Sequence, residues 1–186
     1  MSNLKNLNDR LNFLQINPQV QNRLRGIKSV AMGALPAALD AFYAQMRAVP
    51  DVAKFFSGED MIQHAKAKQH AHWDLIIDGR FDDAYMESVS NAGEVHARIR
   101  LEPRWFIDGY AIVLEHLLRA AVAARWPQPR FGKKRGIAEK QLAEEVSALA
   151  KATFLDMDMT ISVYIEAWER HWTESEVKIK RSAGQV

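Results

Sequence analysis

The chain of 186 residues contains no cysteine. Disulfides, thiolate metal sites and cysteine nucleophiles are excluded by that alone. Proline and glycine are few, six and nine residues, and they sit at boundaries between long stretches of helical spacing. Sustained strand alternation is absent, as are internal repeats and low-complexity segments. Charge of one sign is also lacking. The formal net charge is only +2, which gives no electrostatic footprint for nucleic acid. No apolar run approaches the ~20 residues that span a bilayer, so membrane insertion is not expected. The N-terminus, MSNLKNLNDRLNF, is polar and mixed in charge, without the apolar core of a signal peptide. These features predict a soluble, cytoplasmic protein. Glycine-rich phosphate loops, a nucleophile elbow and triad spacing do not occur either.

What remains is a chain that is 48% hydrophobic and 26% charged, enough for one sizeable core with some extra length at an end. The spacing predicts a first helix over Leu4 to Ile16, with Leu4, Leu7, Leu11 and Leu14 on one face. Asn17-Pro18 reads as a cap followed by proline at the first helical position. A helix then runs to about Met32, Gly33 punctuates it, and Leu35 to Ala48 forms the next. Pro50 breaks that one, and a short turn holds Phe55 and Phe56. Further helices are predicted from Asp60 to Ile77, stopped by Asp78-Gly79, from Phe81 to about Arg98, and from Pro103 to near Trp126. Gly93 weakens the middle of the second of these by ~1 kcal/mol relative to alanine. After the loop PQPRFGKKRG, whose Lys133 to Arg135 cluster reads as solvated, a last helix runs from near Ile137 toward Lys180. Its apolar stripe is Leu142, Val146, Leu149, Thr153, Met157, Ile161, Tyr164, Trp168 and Trp172, broadened by Leu155, Met159 and Val163 on its flank. At ~40 residues it would be ~60 Å long. It therefore either projects, pairs with a second copy, leads into another segment or bends to stay on the domain.

Histidines are the candidate metal-binding groups. His64, His70 and His72 share one predicted helix, but no pair among them has the i, i+4 spacing of a helical zinc clip, and His70 and His72 point to different faces. His64 and His70 read as solvated or hydrogen-bonded side chains, and His116 and His171 as packed or surface groups. His96 is different, because Val95 and Ile99 flank it and Ala92 and Leu101 lie nearby. An imidazole in an apolar wall is either a satisfied core histidine or a metal ligand. As a haem ligand it needs its other nitrogen hydrogen-bonded, often to a backbone carbonyl, and the Ala92 carbonyl lies one turn earlier. Tyr43, between Phe42 and Met46, reads either as a core aromatic with its hydroxyl at the surface or as a hydroxyl donor to a bound gas.

Four segments occur in order: Phe42-Tyr43, QHAHW from Gln69 to Trp73, GRFDDAY from Gly79 to Tyr85, and GEVHARIRLEPRWFIDGY from Gly93 to Tyr110. Over roughly Leu35 to Trp172 the chain resembles the sensor globin domain of the globin-coupled sensors. That family includes haem-based aerotaxis transducers and globin-linked diguanylate cyclases and histidine kinases. The resemblance implies an all-α globin fold with an extra N-terminal helix and a long C-terminal helix. It divides the chain into an extra helix (1–17), the sensor globin domain (18–172) and an exit segment (173–186) toward an output domain or tail. It further implies haem b, with His96 as the proximal iron ligand and Tyr43 as the distal hydrogen-bond donor. Phe42, Ala65, Lys68 and His72 would lie on or near the distal wall, and Trp105 near the haem edge on the proximal side, with Val95 and Ile99 beside the ligand histidine.

The function so implied is a sensor that binds O2, and also CO or NO, and signals through a homodimer formed by the last two helices, for aerotaxis or another output. It is not itself an enzyme. The alternatives are a globin enzyme of the NO dioxygenase or peroxidase kind and a haem-free interaction module. Two departures stand out. Arg100 replaces the family's usual glycine after the isoleucine, where it either reaches a propionate or disturbs the turn. Phe106 replaces a frequent tyrosine and removes a proximal hydroxyl.

Overall fold

The computed structural model describes residues 2–126 and 135–183, with side chains placed for 6–126 and 139–170. It contains seven helices in that range: α1 (Ser2–Phe13), α2 (Pro18–Ala48), α3 (Pro50–Ala53), α4 (Glu59–Asp78), α5 (Asp83–Arg98), α6 (Pro103–Arg125) and α7 (Arg135–Ala183). Among the described residues there is no strand, and no helix is long and apolar enough to cross a membrane. The loop at 127–134, which holds Lys133 and Lys134, lies outside the described residues, as do the side chains of His171 and Trp172.

Local chemistry sets most boundaries. The Asn17 side chain accepts from the Val20 amide at 3.1 Å, and Pro18 opens α2. This places a polar acceptor on a helix-start amide that would otherwise lack a partner. Gly79 closes α4 in the left-handed conformation, φ +66°, the usual use of glycine at a helix end. Asp82 caps α5 through the Tyr85 amide, and Pro103 starts α6.

The structure corrects the division of α2. A single helix of 31 residues runs through both Gly33 and Pro36. An internal proline costs ~3 kcal/mol and the glycine ~1 kcal/mol. Leu24, Ile27, Leu35 and Leu39 lie along one face of that helix and are almost wholly buried. Each contributes roughly 1.5–3 kcal/mol, so tertiary burial outweighs the local penalties. Phe81, predicted as helical, instead precedes α5 with φ +50° and is buried.

The core joins that face of α2 to Trp73, Ile76 and Ile77 of α4, Tyr85 and Val89 of α5, Val113 and Leu117 of α6, and Leu149, Ala152 and Leu155 of α7. The arrangement has two sides. α4 packs chiefly on α2, while α5 packs chiefly on α7, and the two helices meet each other over only a short stretch. α6 lies against both α2 and α7. The first helix is anchored to the last through Arg10, which pairs with Asp158 and donates to Ser162 Oγ at 3.0 Å.

The buried face of α7 agrees with the predicted stripe at Leu149 and Thr153 and with its flank at Leu155 and Met159, but it is shifted: Glu145, Ala148, Ala152, Asp156, Thr160 and Ala167 complete it, while Trp168 is exposed. Small residues let α5 approach closely: a Cβ on Gly93 would stand 2.7 Å from Val163 and 2.9 Å from the Thr160 carbonyl oxygen.

Candidate functional site

α5 carries His96 in its last turn. The imidazole Nδ1–H donates to the Ala92 carbonyl at 2.8 Å. A carbonyl can only accept, so the proton sits on Nδ1, and in the neutral ring Nε2 holds the lone pair. Burial pushes His96 below the usual histidine range, against the raising effect of the Ala92 bond, so the neutral form is the favoured one near pH 7. The Phe106 ring meets the imidazole edge-on at 5.0 Å. Leu101, Pro103, Phe106, Thr160, Ile161 and Tyr164 line a cavity of about 10 Å³ beside it.

The apolar wall around His96 therefore comes from α6 and α7. The sequence neighbours Val95 and Ile99 are exposed, 41% and 36%. Val95 points away because consecutive residues around a helix face different directions, and Ile99 is already the cap residue beyond the last turn of α5.

Tyr43 occupies a second aromatic group. Its ring meets Phe42 at 4.9 Å and Phe56 at 5.6 Å, both edge-on, and the Lys66 ammonium lies 5.7 Å from its centroid. The ring is buried, and burial pushes the hydroxyl well above its usual range. It stays protonated and can act as a donor. Phe42 reaches across to α6, where Gly109 leaves room for it: a Cβ there would fall 2.4 Å from the Phe42 ring. Phe106 and Tyr110 of the same helix are in ring contact at 4.6 Å, and Tyr110 meets Trp73 at 5.5 Å. α6 is thus the element that connects the Tyr43 group to His96.

The remaining expected residues are dispersed. Ala65 is half-buried and Lys68 is exposed on α4. Trp105 is half-buried, with the Arg104 guanidinium 4.6 Å from its ring. His72 is buried, but both ring nitrogens are engaged: Nε2 donates to Asp156 Oδ2 at 2.9 Å, and Nδ1 shares a hydrogen bond with Ser88 Oγ at 2.7 Å. Arg100 adopts φ +54°, which explains the preference for glycine at that position in the resembling family: a Cβ is disfavoured there.

Sequence reasoning missed Asp156, Ser88, Tyr110 and Thr160. One cue was available. Asp156 follows Leu149 by seven residues and precedes Thr160 by four, which puts an ionisable group on the core-facing side of a helix.

The donor chemistry fits a haem: one neutral, carbonyl-anchored imidazole in an apolar wall, with a protonated phenol across the same helical layer.

Seven helices in this order, with α6 crossing α2 and α7 and a histidine at the end of α5, define a globin fold. The family model Protoglobin matches residues 3–170, and the chain belongs to that family. Among solved structures it is similar to the globin domain of the Geobacter sulfurreducens globin-coupled sensor. That match has a TM-score of 0.71 and 16% identity, covering 84% of this chain and 96% of the other. It is also similar to the ferrous form of the globin domain of E. coli DosC, with a TM-score of 0.58 and 14% identity, covering 82% and 97%. A comparison with curated protein sequences finds no match.

Proposed function

We propose that this chain is a haem-based gas sensor domain in which His96 holds the iron and Tyr43 addresses the gas. The observation that carries this reading is the state of His96: neutral, fixed through Nδ1 to Ala92, with its Nε2 lone pair in an apolar wall. Haem b bound there supplies a ferrous iron able to take O2, CO or NO. The Ala92 carbonyl fixes the tautomer and the ring direction. Phe106, Leu101 and Ile161 exclude water from the imidazole, and Tyr43 keeps a hydroxyl proton available for a ligand that carries negative charge. Phe42, Ala65, Lys68 and His72 belong to the distal side in this reading, and Val95, Ile99 and Trp105 to the proximal side.

Sensing is favoured over catalysis by kinship with a family whose solved neighbours include the globin domain of a globin-coupled sensor. The reading includes a homodimer through α6 and α7, supported by the exposed Val122, Phe154, Ile165 and Trp168 on those helices. Residues 173–186 would then lead toward an output domain.

The test is optical. The purified chain is expected to show a strong Soret band, and His96→Ala to lose most of it, whereas His64→Ala and His116→Ala retain it. Full haem retention with an unchanged ferrous spectrum in His96→Ala would refute the assignment. A chain without any haem after reconstitution would leave the interaction-module reading in its place.

A further inference from the structure

Asp156 is the most deeply buried acidic side chain among the described residues, 0% exposed. Three other helices converge on it. His72 Nε2 of α4 donates to it at 2.9 Å, the Tyr110 hydroxyl of α6 donates to the same oxygen, and Tyr85 of α5 lies beside it. Its second oxygen, Oδ1, makes no close hydrogen bond although the Tyr85 hydroxyl is beside it, and the Thr160 hydroxyl, one turn further along α7, is buried next to the Tyr110 hydroxyl. Thr160 also lines the cavity that His96 borders. Replacing a buried ion pair by apolar residues is often neutral or stabilising, so an apolar pair could join these helices without the desolvation penalty.

We infer that His72 and Asp156 form a proton-dependent latch that ties α4 to α7 and passes its state, through Thr160, to the cavity beside His96. With the imidazole protonated, Nε2–H faces a carboxylate and Nδ1–H faces Ser88 Oγ. After loss of one proton, Nε2–H still faces Asp156, and Ser88 turns its hydroxyl to donate to Nδ1. The hydrogen bonds survive, but the carboxylate loses its counter-charge inside the protein. The latch weakens for that electrostatic reason, and α7 is the element released.

The surrounding groups leave His72 as the relevant cation. Arg10 of α1 is paired with Asp158. Tyr85 and Tyr110 are both pushed upward, by burial first and by Asp156 second, and stay neutral. His96 of α5 is held neutral by burial and adds only a lowering influence from His72. For His72 itself, burial lowers the pKa and Asp156 raises it, with a net upward shift. A group raised in the folded state contributes stability below its unfolded value, ~6.5 for histidine. That stability is lost as pH rises through the folded value. The latch is therefore closed on the acid side and opens on the alkaline side.

Histidine C2 hydrogen–deuterium exchange, read by mass spectrometry on the full chain as purified, gives the His72 midpoint. The expected midpoint lies above ~6.5 in the wild type and falls below that value in Asp156→Asn. Amide exchange of α7 peptides covering 152–163, corrected for intrinsic rates, is expected to rise between pH 6 and pH 8.5 in the wild type. It should show no such step in His72→Gln, which cannot titrate. A wild-type midpoint at or below ~6.5 overturns the proposal, and so does an α7 step of equal size in His72→Gln. Should Asp156→Asn fail to fold, the wild-type midpoint and the His72→Gln comparison decide the matter. Neither readout uses the haem absorption, so a chain that fails to bind haem and a chain whose His72 fails to titrate above ~6.5 are distinguishable outcomes.

Discussion

Alanine substituted for glycine should have opposite effects in two helices of this protein. Gly33 lies inside α2 with nothing within 4 Å of an added Cβ. Alanine there gains helix propensity, about 1 kcal/mol, and meets no obstacle. Gly93 lies inside α5, where the same atom would be 2.7 Å from Val163 Cβ and Cγ1 and 2.9 Å from the Thr160 carbonyl oxygen. Carbon atoms rest at ~3.5–4 Å, so α5 and α7 must separate by about 1 Å. Val163 is β-branched with a stiff χ1, and the carbonyl belongs to backbone, so neither can yield by a rotamer change. Overpacking of this kind costs roughly 1–3 kcal/mol. Two rigid neighbours put it at about 3, leaving a net loss of about 2 kcal/mol after the propensity gain. For a chain of this size 1 kcal/mol corresponds to ~2–4 °C. Thermal unfolding followed by circular dichroism should show Gly33→Ala higher by about 2–4 °C and Gly93→Ala lower by about 4–8 °C. A Gly93→Ala protein as stable as the wild type would refute the close packing of α5 on α7.

Arg100→Gly should stabilise the protein by about 1 kcal/mol, because it removes a Cβ from a left-handed residue; urea unfolding measures it, and a destabilised variant would indicate that the guanidinium makes a contact worth more than the strain. Tyr43→Phe should speed O2 dissociation roughly 10- to 100-fold, the equivalent of a ~1.5–3 kcal/mol charge-assisted hydrogen bond, while CO dissociation changes little. Stopped-flow measurement of both gases decides this, and equal acceleration of the two would point to a steric effect. Light scattering at micromolar concentration should return the mass of a dimer, and a monomer throughout would contradict signalling across α6 and α7.

Much of the fold was legible because its punctuation is local. Asn17-Pro18, Asp78-Gly79 and Pro103 each act on their own backbone, and the structure places helix boundaries beside all three. The Ala92 carbonyl as partner of His96 was legible for the same reason, since it depends only on helical spacing. The continuity of α2 was not, because burial of Leu24 through Leu39 against other helices overrides Gly33 and Pro36. The lining of the His96 cavity was legible only in part: Leu101, named beside His96, does line it, whereas Val95 and Ile99 are exposed and Thr160, Ile161 and Tyr164 come from α7. The α7 stripe was read correctly at Leu149, Thr153, Leu155 and Met159, but its small and polar members Ala148, Ala152, Asp156, Thr160 and Ala167 were not, because apolar bulk was the only signal weighed. Asp156 was passed over as one polar residue among many, and its environment depends on three other helices.

The separate anchoring of α4 and α5 has a consequence for how the molecule breathes. α4 rests chiefly on α2 and α5 chiefly on α7, so a parting of these two leaves breaks the His72 bonds to Ser88 and Asp156 but leaves each helix on its own support. Neither leaf must unfold for the gap to widen. Local opening of this type has a free energy well below that of global unfolding. The amides of α4 and α5 would keep their protection while side chains facing the gap meet solvent.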